Sequence, residues 1–217
     1  METSELAELI TNRRSIRKWL DKPVPEEMLI RAIDLATHAP NAGNQQNWFF
    51  YVIVNNQVIG AIADAVQASA EYVASWPEAV KFGELTSGML QRSSFFRTAP
   101  AAIVVAAKSY LSPLDTIAAS RPATDEKTGD IKKGRAIANA RIQSVASATA
   151  YLLLALHQMG LGAVWMTGPM QAKGDIEKIL NVPADMDVVA FIPVGYPAEH
   201  PALKPRKPVN EVSRVIR

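Results

Sequence analysis

Gln143-Ser144-Val145-Ala146-Ser147-Ala148-Thr149-Ala150-Tyr151-Leu152-Leu153-Leu154-Ala155-Leu156 contains no charged side chain, in a chain of 217 residues of which 20% are charged. As a membrane span this stretch is too short, because crossing a bilayer takes about 18–20 apolar residues, and it carries the hydroxyls of Ser144, Ser147 and Thr149. Within the longer segment from Ile131 to Met159, the residues Ile142, Val145, Thr149, Leu152, Leu156 and Met159 recur at spacings of three and four, as on one helical stripe. The periodicity predicts a single helix with a packed seam. Ala146, Ala150, Leu153 and Leu154 on the other faces are also apolar, so the helix calls for cover on most sides. That cover comes either from a partner subunit or from burial wholly inside one subunit.

Outward from this helix, the chain alternates between the two periods. Ser4 to Asn12, capped by Ser4 and carrying Leu6, Leu9 and Ile10, reads as a first helix. Pro25 to Thr37 reads as a second, with Pro25 at its first position and Glu26 and Glu27 at its positive end. Trp48 to Val54 is aromatic and β-branched and reads as a buried strand. Gln57 to Ser69 reads as helix, Ala101 to Ala107 as a core strand, Ala163 to Met166 as a short strand, Gly174 to Leu180 as a short helix and Val188 to Val194 as a last strand. The expected architecture is one central sheet covered by helices, in a single domain spanning 1–217. Two stretches, Glu71 to Phe96 and Ser112 to Gly134, fit neither period and read as excursions or lids over a site. From Gly195 onward Pro197, Pro201, Pro205 and Pro208 forbid a helix until about Asn210, which leaves an extended tail.

Charge is distributed unevenly. The net charge is +2 and the sequence pI about 8.8, too little for the global field of a nucleic-acid binder. Yet 10 of the 23 Lys and Arg residues lie between Arg13 and Lys22 or between Lys204 and Arg217. Arg13-Arg14-Ser15-Ile16-Arg17-Lys18-Trp19 and Lys204-Pro205-Arg206-Lys207-Pro208 offer fork and point donors that suit phosphate oxygens, so a phosphorylated cofactor is one reading and solvated surface runs the other. Only Trp19 is interleaved with these cations, which argues against a nucleic-acid surface. With no cysteine, disulfides, thiolate nucleophiles and cysteine metal ligands are excluded, and redox chemistry requires an added cofactor. His38, His157 and His200 form no constellation, and there is no metal-ligand spacing, phosphate loop or nucleophile elbow. The opening Met1-Glu2-Thr3-Ser4-Glu5 is acidic and polar, unlike a signal peptide, and a cytoplasmic location is the expectation.

Two further segments carry chemistry. His38-Ala39-Pro40-Asn41-Ala42-Gly43-Asn44-Gln45-Gln46-Asn47-Trp48 places several side-chain amides between a helix and a strand, an edge suited to a heteroaromatic ring or simply to a turn. Gly160-Leu161-Gly162-Ala163-Val164-Trp165-Met166-Thr167-Gly168-Pro169-Met170 ends a strand in a Gly-Pro break where backbone N–H groups approach a ligand closely.

In this order the four segments resemble the FMN-dependent nitroreductase family: the Arg-Arg-Ser-x-Arg start, the Ala-Pro-x-x-x-Asn-x-Gln-x-Trp loop, the Trp-Met-Thr-Gly-Pro strand end, and the Gly-Tyr-Pro…Lys-Pro-Arg-Lys-Pro tail. The resemblance covers nearly the whole chain. It implies an α+β homodimer, each subunit a central, mostly antiparallel sheet covered by helices, with a long central helix at the interface and an extended C-terminal tail embracing the partner. Two FMN molecules would lie between the subunits.

Residue by residue, the resemblance makes Arg13, Arg14, Ser15 and Arg17 the first group of FMN ligands. Arg13 would meet the phosphate, Arg14 would contribute mainly backbone, and Arg17 would reach the phosphate or the pyrimidine edge. Lys204 and Arg206 would complete the phosphate clamp. Pro40, Asn41, Ala42 and Asn44 would touch the flavin from the partner chain, and Trp165, Met166, Thr167 and Gly168 would flank the ring; Gln91 to Phe95 are further candidates. Asn41 and Ala42 stand where the family often has two small hydroxyl residues, and Asn47 where it often has Pro. The implied activity is ping-pong transfer of electrons from NAD(P)H to a nitroaromatic, quinone or related acceptor, without an acid–base residue, no nucleic acid and no membrane being involved. A non-catalytic flavin-binding sensor or carrier is the alternative.

Overall fold

The computed structural model describes residues 3–122 and 126–217. Met1 and Glu2 of the acidic opening, and Ala123 to Asp125 of the second excursion, lie outside the described residues. Helices α1 (Thr3–Asn12) and α2 (Glu26–Ala36) lead to strand β1 (Trp48–Ile53) and helix α3 (Asn56–Ala74). Ser4 lies inside α1 and not at its cap, and Pro25 occupies the cap position of α2. Helix α4 (Gly83–Arg92) precedes strand β2 (Ala101–Lys108), and helices α5 (Pro113–Ser120), α6 (Glu126–Ala138) and α7 (Ala140–Gln158) follow. Strand β3 (Gly162–Ala163), helix α8 (Lys173–Ile179), strand β4 (Met186–Gly195) and the short helix α9 (Val209–Val212) complete the order.

The sheet runs β1-β2-β4-β3 and every pairing is antiparallel. Strand β2 is the middle of the molecule, buried along all but its last residue. Its alternate side chains serve two cores, as the period of a strand requires. Ala101, Ile103, Val105 and Ala107 face Leu29, Ala32 and Ala36 of α2 and Val145, Ala148, Leu152 and Leu156 of α7. Ala102, Val104 and Ala106 face Ile59, Ile62, Ala63 and Val66 of α3 together with Phe96, Phe191 and Ile176. Phe96 and Phe191 meet with ring centroids 4.4 Å apart. The alanines of β2 let both helical layers come close, so a short strand is covered on both faces.

The expected long helix is two helices. Asn139 stands at φ 40° and ψ 64°, in the left-handed region that Asn tolerates, and its Oδ1 accepts the N–H of Ile142 at 3.2 Å. The chain therefore stops α6 and caps α7 at one residue, and Ile131 belongs to α6. The seam Val145, Thr149, Leu152 and Leu156 is closed against this chain's own sheet and α2, each side chain no more than 2% exposed. The open face of α7 is the other one, with Ala150 exposed and Leu153 and Leu154 half-buried. An interface role for the seam is thus ruled out by its own burial, and a partner could meet only the opposite face.

Both excursions prove largely helical. Helix α3 continues to Ala74, α4 fills the first, and α5 with α6 fills the second. Arg135 grips Asp115 through Nε at 2.7 Å and Nη2 at 2.9 Å, which pins α6 on α5. The strand expected over Ala163 to Met166 keeps only its beginning; beyond Ala163 one bridge, Met166 to Phe191, holds the chain to β4. No described helix is long and apolar enough to cross a membrane.

Candidate functional site

The segment after α1 is held on two sides. Ile16 donates its N–H to Ala163 O at 3.1 Å and the Trp19 indole donates to Gly162 O at 2.9 Å. On the other side Leu20 donates to Tyr196 O at 2.9 Å and Ala198 to Lys18 O at 3.0 Å. Two glycines make room. A Cβ on Gly162 would stand 2.7 Å from Ile16 Cγ1, and one on Gly195 would stand 2.6 Å from Pro100 and 2.8 Å from Trp19. Gly162→Ala is therefore expected to push Ile16 out of its seat at a cost of about 1–3 kcal/mol, read as a lowered melting temperature. Unchanged melting would show that this contact does not seat the basic segment.

The result is a cleft of about 780 Å³. Arg13, Arg14, Ser15, Arg17, Trp165, Lys204 and Arg206 line it, and Ala150, Leu153, Leu154 and Leu203 form its apolar wall. Seven of the expected site residues, from three distant parts of the sequence, thus share one concavity. Arg14 is occupied locally, its Nη1 donating to Thr11 O at 2.6 Å and Arg13 O at 2.8 Å. Among the described residues none of the five cations takes part in an ion pair. Burial, then the neighbouring charges of Arg14 and Arg206, pull the Arg13 guanidinium below its ordinary value. Burial and the same Arg13 and Arg14 charges lower His157. A cluster of like charge, half-buried at Arg13 and Arg14 and exposed at Arg17, Lys204 and Arg206, is relieved by an anion, and a phosphate supplies acceptors on every side.

Met166, Thr167 and Gly168 follow Trp165 but do not line the cleft. Met166 packs into the second core, and Thr167 and Gly168 are exposed at the 3₁₀ turn Gly168–Ala172. Pro40, Asn41, Ala42 and Asn44 lie elsewhere, at the N-terminal end of α7. The Ala42 N–H donates to Ser144 Oγ at 3.1 Å, Asn47 Nδ2 donates to Arg141 O at 3.1 Å, and Gln45 exchanges two hydrogen bonds with the Leu111 backbone. From Ser144 to Ala150, the first residue of α7 in the cleft, is about 9 Å along the helix, and none of Pro40, Asn41, Ala42 and Asn44 lines the cleft of its own chain. Nothing in one chain brings the amide loop to the cations. The sequence reading missed the apolar wall, although Ala150, Leu153 and Leu154 were noted on the other faces of the charge-free helix; Leu203 joins them from the tail. It also missed Glu199, whose Oε1 accepts the Arg17 N–H at 2.5 Å; an isolated Glu in a proline-rich tail carries no local signal.

Residues 10–196 match the model of the nitroreductase family. A provisionally named NADH dehydrogenase/NAD(P)H nitroreductase of Methanothermobacter thermautotrophicus is 30% identical over 203 residues, which is 92% of this chain and 81% of that protein. An iodotyrosine deiodinase of Thermotoga neapolitana is 28% identical over 212 residues, 95% of each. Among solved structures, a BluB-like flavoprotein from Clostridium difficile 630 superposes with a TM-score of 0.85 at 24% identity, covering 98% of this chain and 99% of that one. An oxidized iodotyrosine deiodinase bound to FMN and 3-iodo-L-tyrosine gives 0.67 at 25% identity, covering 98% and 97%.

Proposed function

Because the chain belongs to the nitroreductase family, we propose that it is an FMN-dependent oxidoreductase that takes electrons from NADH or NADPH and delivers them to a small aromatic or quinone acceptor. The observation that carries this reading is the cleft in which five cations, without an ion pair among the described residues, stand beside an apolar wall. FMN, when bound, supplies two-electron transfer between a donor and an acceptor. The protein's part is positioning. Arg13, Arg17, Lys204 and Arg206 would hold the phosphate, the Ser15 hydroxyl and the Arg14 backbone would complete that end, and Trp165, with Met166, Thr167 and Gly168 beyond the lining of the cleft, would border the ring. No side chain is assigned a proton transfer.

Pro40, Asn41, Ala42 and Asn44 reach the ring only from a second copy, since none of them lines the cleft of its own chain. We therefore take the working unit as a homodimer formed across the open face of α7, each subunit a single domain. The cytoplasm is the proposed location.

Among the acceptors, halogenated aromatics stand beside nitroaromatics, because iodotyrosine deiodinases cover this chain as fully as the nitroreductase relatives do. Anaerobic mixing of the purified, FMN-loaded protein with NADH or NADPH tests the reading. The flavin absorbance is expected to bleach and to return on adding a nitroaromatic or quinone, with parallel double-reciprocal lines in the steady state. A flavin that stays oxidised with both nicotinamides would establish a carrier or sensor, or another electron donor.

A further inference from the structure

The chain leaves β4 at Gly195 and passes along the basic segment before its tail departs. The last main-chain rung is Ala198 N–H to Lys18 O, at 3.0 Å. One residue further the rung is made by a side chain, the Glu199 carboxylate accepting the Arg17 N–H at 2.5 Å. Among the described residues, no other hydrogen bond or ion pair joins Glu199 or anything after it to the rest of the chain. Yet this tail carries Lys204 and Arg206 into the cleft that Arg13 and Arg17 line from the opposite end of the sequence. A carboxylate beside a cationic cleft opposes anion binding by its charge. What it supplies is geometric: an acceptor on the backbone of one clamp residue, borne by the segment that delivers the other two cations.

We propose that Glu199 is the positioning residue that latches the two halves of the phosphate clamp, fixing the Arg17 main chain and the departure of the tail at once. The proposal rests on the FMN reading given above. It needs only the acceptor oxygen, which Gln retains and Ala lacks.

The test is equilibrium titration of apoprotein with FMN and, separately, with riboflavin, which lacks the phosphate, for wild type, Glu199→Gln and Glu199→Ala. Glu199→Ala is expected to weaken FMN about tenfold, the scale of one charge-assisted hydrogen bond, and to leave riboflavin affinity unchanged. Glu199→Gln is expected to hold FMN within about twofold of wild type or more tightly, because the acceptor stays and the opposing charge goes. Equal losses for FMN and riboflavin in Glu199→Ala would mark a merely structural role and overturn the proposal, as would a Gln variant as weak as the Ala variant. Wild-type protein that prefers FMN to riboflavin, with Glu199→Ala unchanged, would overturn the latch alone. Wild-type protein without that preference would overturn the cofactor reading as well.

Discussion

Leu152→Glu is expected to leave no folded protein. Leu152 is fully buried between β2, α2 and the rest of α7, so its replacement puts a carboxylate into an apolar core without a partner. An uncompensated buried charge costs about 3–5 kcal/mol, to which the lost packing of Leu adds, against a total stability of about 5–15 kcal/mol for a domain. Far-UV circular dichroism and light scattering should show unfolded or aggregated chain at any protein concentration. Leu154→Glu is the informative contrast. Leu154 is half-buried on the open face of α7, and there the carboxylate meets solvent in a single chain. That variant should keep its secondary structure and run as a monomer where wild type runs as a dimer. A folded, cooperative Leu152→Glu would contradict the core described here, and a dimeric Leu154→Glu would remove the α7 face from the interface.

Arg206→Ala and Arg13→Ala should each weaken FMN roughly tenfold to a hundredfold, the worth of about 1.5–3 kcal/mol for a hydrogen bond to a charged group. Burial first, then the charges of Arg14 and Arg206, lower the Arg13 guanidinium, and because the Arg13–Arg206 repulsion is mutual, removing either cation relieves the other. The double variant is therefore expected to fall short of the sum of the singles, as residues sharing one ligand do. Riboflavin should bind all variants alike, and raising the salt should shrink the differences for these part-exposed charges. FMN affinity unchanged in both single variants would remove the phosphate clamp, and with it the observation on which the proposed function stands.

Most elements were legible from local pattern. Trp48–Ile53, Ala101–Lys108 and Met186–Gly195 were marked by β-branched and aromatic runs, and Glu26–Ala36 by its acidic first turn, within a few residues of where they lie. The excursions were opaque because Trp76-Pro77, Gly83 and Gly88 interrupt the period, α5 is only 8 residues long and α6 is polar, so their helices depend on caps such as Ser112 and on the Arg135–Asp115 pair. Local signals of this kind arise within a few residues and survive in the sequence. The break at Asn139 left little trace, because the apolar stripe from Ile142 to Met159 lies wholly beyond it and a left-handed Asn is marked by its backbone angles and not by its neighbours in sequence.

For the site, the sequence by itself marked two cation-rich ends, which could meet a phosphate or simply face solvent. Only the tertiary structure decided that they converge, through the β3 and β4 rungs and the two glycines at which the backbone comes close. It alone decided that Pro40 to Asn44 stand at the other end of α7, away from the cations of the same chain. It also decided which face of that helix is closed and which is open. Periodicity records that both faces are apolar, but burial is a relation between surfaces far apart in the chain, and a stripe of side chains holds no information about which surface arrives to cover it.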